Sequence, residues 1–266
     1  MLGSPVHSSA SCGKISRVTS LDESQIRVIL LDIEGTTTPV SLVDQTLFPY
    51  ATRMLQAFLL QHAQEPEIVS LIDDLRAQHD LDESNGLKPL EWVDEGVESR
   101  LRSSIAYCQW LIAKDSKCTP LKVLQGKIWQ EGYQNGELHG EVYPDVPPAF
   151  ERWRRRKKMI CIYSSGSVLA QQLLFRSTPA GDLTAYISVF FDTRVGAKTE
   201  SESYRKITGS FSHPPQQFLF ISDAVKEIEA ARAAGMRALW CVRDENASEL
   251  SGADEVIHNF NVVFPD

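Results

Sequence analysis

The chain has 266 residues, of which 42% are hydrophobic, and a formal net charge of −8. This length suits one large domain or a core with a smaller insertion, and the apolar content excludes general disorder. The acidic balance argues against broad binding to nucleic acid or to anionic membranes, and an anionic ligand would need local cations or a metal to reverse the field.

The first 20 residues are rich in Ser and lack the apolar centre of a secretory signal. Lys14 and Arg17, with no acid before Asp22, would suit a weak organelle address, but residues 1–24 are read as a flexible tail. The first strand is predicted over Ile26 to Asp32, an almost unbroken apolar run of the kind buried on both faces of a parallel sheet. Gly35, three threonines and Pro39 then make a turn. From Leu47 to about Asn135 the spacing is helical, carried by Met54, Leu55, Phe58 and Leu59, by Ile68, Leu71, Ile72 and Leu75, and by Leu121, Leu124, Ile128 and Trp129. Asp80 to Trp92, with Gly86 and Pro89, is expected to be a loop between helices. Leu47-Phe48-Pro49-Tyr50 is read as packing the hinge into this helical block, with lining the mouth of a site as the alternative.

Strand and helix alternate after that. Strands are predicted at Met159–Tyr163, Ile187–Asp192, Phe218–Asp223 and Ala238–Val242, with a short last one in Asp254–Phe260. Helices are predicted at Val168–Phe175, Ser201–Thr208 and Val225–Ala234. The alternation implies an α/β fold, a parallel sheet with helices on both faces and the helical block inserted after its first strand. The basic run Arg152 to Lys158 around Trp153 resembles a nuclear-import signal, but at a helix end before a strand it is read as structural.

Cys12, Cys108, Cys118, Cys161 and Cys241 form no C-x-x-C pair, as expected of a reduced, intracellular protein. In that setting the acceptor pattern at Asn246-Ala247-Ser248 carries little meaning. The six histidines show no H-x-x-x-H spacing, so no zinc site is expected. No apolar run approaches ~18 residues, so no membrane span is expected.

Ligands of open α/β sheets sit at the carboxyl ends of the strands, so the polar residues ending the apolar runs should converge. Asp32 is followed two residues on by Glu34 and then by a Gly-Thr turn. A carboxylate there is placed to attack phosphorus, and Glu34 to move protons; an ordinary strand-end Asp would instead cap the turn. Ser164-Ser165-Gly166-Ser167 joins a strand to a helix, where hydroxyls and free N–H groups hold phosphate or merely cap the helix. Lys198 lies in a Gly-Ala-Lys-Thr loop without Walker spacing and suits a phosphate counter-charge, although most loop lysines are only solvated. Asp223 ends a strand and opens a helix, as a Mg²⁺ ligand or an N-cap, with Glu227 as a helix-face charge or a support for the metal site. Together the four places supply attack, phosphate binding, charge neutralisation and metal anchoring, the parts of phosphoryl transfer.

The ordered set Asp32-x-Glu34-Gly-Thr, Ser164, Lys198, Asp223 resembles the four motifs of haloacid dehalogenase-type phosphatases. Most members carry a second Asp where this chain has Glu34, a departure that marks the enolase-phosphatase branch. Leu-Leu-Asp-Ile-Glu-Gly-Thr-Thr-Thr-Pro from Leu30, Leu-Phe-Pro-Tyr from Leu47, Ile-Tyr-Ser-Ser-Gly-Ser from Ile162 and Glu-Ser-Glu-Ser-Tyr-Arg-Lys-Ile from Glu200 extend the likeness. The resemblance implies a Rossmann-like core over 25–44 and 141–266 with an all-helical cap over 45–140. It implies Asp32 and Glu34 as catalytic residues, and Ser164, Ser165 and Lys198 as substrate-binding residues. One Mg²⁺ would be held by Asp32, Glu34 and Asp223, with Glu34 lending its backbone carbonyl. The implied substrate is 5-(methylthio)-2,3-dioxopentyl phosphate, enolised and then dephosphorylated to an acireductone in methionine salvage. Lys198 and Glu34 both remain open as the enolising base. A sugar-phosphate-like phosphatase and a catalytically silent binding protein are the competing expectations. A cytoplasmic monomer is expected, with a nuclear pool if the basic run acts as a signal, and with no nucleic-acid or membrane partner.

Overall fold

The computed structural model describes residues 21–243 and 256–266. Its strands are β1 Val28–Leu31, β2 Met159–Tyr163, β3 Ile187–Phe191, β4 Phe218–Ser222, β5 Arg237–Cys241 and β6 Val256–Ile257. They form one sheet in the order β3-β2-β1-β4-β5-β6, every neighbouring pair parallel. β1 is buried along its whole length and sits between β2 and β4. Its side chains alternate between two cores: Ile29 and Leu31 join Ile160, Ile162, Leu219 and Ile221 on one face, while Val28 and Leu30 join Cys161, Tyr163, Phe218 and Phe220 on the other. A run apolar at every position therefore satisfies both faces of a covered sheet.

Between β1 and β2 stand α1 Phe48–His62, α2 Pro66–Ser84, α3 Val97–Ala113 and α4 Thr119–Gln134. The core helices are α5 Val146–Arg155, α6 Val168–Arg176, α7 Ser201–Gly209 and α8 Val225–Ala233. Pro66, Pro120 and Pro147 lie in the first turns of α2, α4 and α5, where a missing N–H removes no helical bond, whereas Pro49 of α1 directly follows a π-helical turn over Leu42–Leu47. The α/β core with an inserted helical cap agrees with the sequence reading. The loop expected from Asp80 is a correction, because α2 continues to Ser84. Tertiary packing overrides the local turn signals there: His79 and Asp82 are buried, and the Tyr107 hydroxyl donates to Asp82 at 2.7 Å.

The basic run before β2 is largely structural. Buried Arg152 donates to the carbonyls of Phe260, Val263 and Phe264, and Lys158 donates to those of Glu23 and Ile26. Residues 1–20, read as tail, and the acceptor at Asn246 lie outside the described residues; Glu23–Gln25 is a short 3-10 turn. Among the described residues, no helix is long and apolar enough to cross a membrane.

His62 at the end of α1 lies 2.6 Å from Glu65 and 3.0 Å from Glu131 on α4. The Glu65 hydrogen bond, against a smaller opposing effect of burial and with help from Glu131, holds the imidazole pKa above its ordinary value. Stability from this bridge is complete below the unfolded-state pKa of about 6.5 and is lost as pH rises through the higher folded value. His62→Gln should remove that slope from a series of thermal melts above pH 6.5, changing Tm by no more than about 2 °C. An unchanged slope would show that the bridge carries no charge in solution.

Candidate active site

From β1 the chain winds through β2 to β3 on one side of the sheet, then crosses to β4 and continues through β5 to β6 on the other. The crevice between the carboxyl ends of β1 and β4 is therefore the topological switch point. Asp32 follows β1 and Asp223 follows β4. Asp32 is 5% exposed, and its amide donates to Ile221 at 3.0 Å, prolonging the ladder by one bond. One of its carboxylate oxygens lies 2.5 Å from the Lys198 ammonium; the other accepts from the Ser222 hydroxyl at 3.3 Å. Lys198 also pairs with Glu227 at 2.7 Å, and the same Ser222 hydroxyl lies 2.9 Å from Glu227, so its one proton is shared between the two carboxylates. Asp32, Lys198, Glu227 and Ser222 thus form one closed ring of polar contacts.

Each part of the ring is set by local structure. The turn after Asp32 is pinned by Thr37, whose hydroxyl donates to the Asp32 carbonyl at 3.0 Å. Thr36 turns the other way and accepts from the Asp223 amide at 2.9 Å, stitching the β1 turn to the β4 turn. Gly35 between them has φ +67°, and a Cβ there would run into the Asp223 carboxylate, so glycine is required by both conformation and space. The Lys198 loop hangs on three side chains that donate to successive carbonyls: Tyr163 to Gly196, Ser203 to Ala197 and Tyr204 to Lys198. Arg243 braces the turn from behind. It pairs with both carboxylate oxygens of Asp145 at 2.8 Å, donates to the Thr36 carbonyl and stacks on Tyr143 and Phe260.

Acid outnumbers base in this crevice. Burial, then the nearby Asp32 charge, pushes Glu34 and Glu227 above the ordinary carboxyl range. Burial, Asp32 and Glu227 raise Asp223 to about 6. Burial alone would lower the Lys198 pKa, but Asp32 and Glu227 outweigh it and hold the ammonium above its usual value. Among the described residues, Lys198, with Lys117 acting more weakly on Glu34, thus faces four carboxylates in a partly desolvated space, a field that favours a further cation. The donors are all oxygen, which suits Mg²⁺. Among the described residues, the side chains of Asp32, Glu34 and Asp223 do not close into a cluster of three.

A cavity of about 380 Å³ opens between core and cap beside this ring. Ile33, Glu34, Ser164, Ser165 and Gly166 line it from the core; Val43, Leu47, Phe48, Lys117, Lys122, Gln125 and Trp129 line it from the cap side. Ser167 caps α6 by accepting from Ala170, so the capping reading belongs to Ser167 and leaves Ser164 and Ser165 facing the cavity. Lys122 donates to the Ser165 carbonyl at 3.3 Å and Trp129 to the Leu47 carbonyl at 2.7 Å, tying α4 to both sides of the cleft.

The six residues singled out from sequence thus fall in two adjoining groups: Asp32, Lys198 and Asp223 at the charged crevice, and Glu34, Ser164 and Ser165 on the cavity. Leu47 and Phe48 line the cavity, whereas Tyr50 packs against Gly132 and bonds Glu137, so the aromatic segment serves both mouth and hinge. Sequence reasoning assigned no role to Thr36, Ser222, Gln125, Lys122 or Arg243. Ser222 ends a buried strand next to Asp223, which was a usable signal; the others depend on which turns meet and on how α4 docks over the core.

A family profile for haloacid dehalogenase-like hydrolases matches residues 26–235. Enolase-phosphatase E1 of Synechococcus elongatus is 44% identical over 236 residues, covering 89% of this chain and 97% of the relative. Enolase-phosphatase E1 of Drosophila melanogaster is 43% identical over 229 residues, covering 86% and 88%. The crystal structure of the UTR4 protein of Saccharomyces cerevisiae superposes with a TM-score of 0.70 at 32% identity, covering 88% of this chain and 98% of that one. The chain belongs to the haloacid dehalogenase-like hydrolases and, within them, to the enolase-phosphatases, and is a phosphatase of that family.

Proposed function

We propose that Asp32 is the nucleophile of a bifunctional enolase-phosphatase that converts 5-(methylthio)-2,3-dioxopentyl phosphate to the acireductone and phosphate in methionine salvage. One observation carries the reading. A buried carboxylate anchored by Lys198 and Ser222 stands next to a cavity that is polar at Glu34, Ser164 and Ser165 and apolar at Val43, Leu47, Phe48 and Trp129. Such a cavity suits a small molecule with an anionic head and an apolar tail. Residues 45–140 act as the cap that closes over it.

Ser164, Ser165 and Lys198 bind the phosphate. Asp32, Asp223 and the Glu34 carbonyl are the oxygens that would hold one Mg²⁺, which when bound neutralises phosphoryl charge and polarises the diketone. Glu34, on the cavity wall, takes the proton from the carbon between the phosphate ester and the first carbonyl. A carbon–carbon double bond forms, and the carbonyl oxygen takes up a proton from solvent to become the enol; the proton Glu34 draws from water in the last step returns to solvent and closes the balance. Lys198 is a poor base for this step, because its charge is locked by two carboxylates. Asp32 then attacks phosphorus, and the bond to the ester oxygen breaks as Glu34 returns a proton to that oxygen. Water, deprotonated by Glu34, releases phosphate and restores Asp32.

Supplying the diketone phosphate with Mg²⁺ while following enediol absorbance and phosphate together tests the whole reading. Enediol absorbance should appear with phosphate release, and a generic phosphoester should be a poor substrate. A preference for the generic ester would favour the sugar-phosphate-like alternative, and inertness toward both would favour a silent scaffold.

A further inference from the structure

We propose that the C-terminal turns of α2 carry a second divalent-cation site, for an ion of the zinc class, formed by His79, Asp80 and Glu83. His79 is 1% exposed, yet its Nδ1 has no hydrogen-bond partner. The other ring nitrogen, Nε2, lies 2.8 Å from the Leu90 carbonyl. A backbone carbonyl can only accept, so Nε2 carries the proton, and in the neutral ring the free lone pair sits on Nδ1. A backbone carbonyl on the far nitrogen is the usual arrangement that orients a metal-binding histidine. The ring cannot readily turn away, because Trp92 and Tyr107 pack edge-on against it with centroids at 5.6 and 5.0 Å.

Nδ1 is aimed at two half-exposed carboxylates, with Asp80 Oδ1 at 3.5 Å and Glu83 Oε2 at 3.8 Å, and the three ligand atoms lie within 4.8 Å of one another. These separations are long for hydrogen bonds but suit a shared ion: with metal–ligand bonds of about 2.1 Å, tetrahedral ligands stand about 3.4 Å apart. One imidazole with two carboxylates favours zinc-class ions over Mg²⁺ and Ca²⁺, which prefer oxygen alone. The fourth position would be left to water. Paired-histidine spacing misses the site because its other ligands are acids.

The site has one built-in competitor. Arg76, one turn earlier, pairs with Asp80 at 3.1 Å while its guanidinium lies over Trp92. An arriving cation must displace this arginine from Asp80. An ion held here would fasten the end of α2 and, through the His79–Leu90 bond, the loop from Asn85 to Gly96. The site belongs to the cap and takes no part in the chemistry assigned to Asp32.

Calorimetric titration of the full chain with ZnCl₂, in excess MgCl₂ so that the oxygen-only crevice is filled, tests the proposal. Wild type should bind one Zn²⁺ per chain. Asp80→Asn and Glu83→Gln, at side chains exposed enough to leave folding intact, should each weaken binding about tenfold or more. Arg76→Ala should tighten it. Zinc should raise Tm in wild type and not in Glu83→Gln. A wild-type chain that takes up no zinc, or an isotherm unchanged by Glu83→Gln, would overturn the site.

Discussion

Asp32→Asn should leave no more than a trace of phosphate release, a fall of roughly 10⁴-fold or more. The amide has no anionic oxygen with which to attack phosphorus, and no neighbour replaces it. Glu34 lies on the cavity wall, where the proposed mechanism gives it the proton duty, and Glu227 is committed to Lys198 and Ser222. The fold should survive, because the change relieves a repulsion: Asp32 is one of the charges pushing Glu34, Asp223 and Glu227 upward. Circular dichroism and thermal melts should therefore match wild type while phosphate release vanishes. Substantial turnover by a correctly folded Asp32→Asn protein would remove Asp32 as nucleophile and, with it, the mechanism.

The second large effect is expected at Lys198. Its ammonium touches Asp32 and Glu227 at 2.5 and 2.7 Å, and both oxygens would lose this paired cation in Lys198→Ala. Removing a preorganised counter-charge of this kind costs about 10²–10³-fold in rate. It should affect enolisation and phosphate release alike, because both steps develop negative charge beside the same group. Lys198→Ala should also lower stability, by about 3 kcal/mol as for other buried pairs broken on one side. Mg²⁺ should restore part of that loss and EDTA should expose it. Lys198→Arg, which keeps the charge but not the reach, should recover stability far better than rate. If alanine leaves both rate constants and the melt unchanged, Lys198 lies outside the working site.

The fold was largely legible before any coordinates. Two-faced burial forces a strand such as β1 to be apolar at every position, and that pattern survives in one dimension. The end of α2 was not legible. Gly86 and Pro89 read locally as a loop from Asp80 onward, but contacts to Trp92, at the end of that segment, and to Tyr107 on α3 carry the helix on to Ser84. Burial of those rings outweighs a weak local preference.

At the site, the strand-end rule located Asp32 and Asp223, because the carboxyl ends of β1 and β4 border the crevice, whereas Asp192 after β3 turns to Arg194. The same rule could not distinguish Ser164 and Ser165 from Ser167, since any of the three can cap a helix. Only the bond from Ala170 identifies Ser167 as the cap, and all three serines line the cavity. The cap contributors Gln125, Lys122 and Trp129 lie on α4 at ordinary helical spacing and carry no signal until the helix docks over the core.

Sequence alone determined the architecture, the order of the motifs and the types of chemistry, because backbone periodicity and residue type are local properties of the chain. Tertiary structure alone decided the electrostatics. That Lys198 answers to Asp32 and Glu227 at once, that Asp223 is pushed to about 6, and that Arg243 braces the turn after Asp32 all depend on distances between groups far apart in the chain. Coulomb and desolvation energies follow separation in space and burial, and neither quantity exists until the chain has folded.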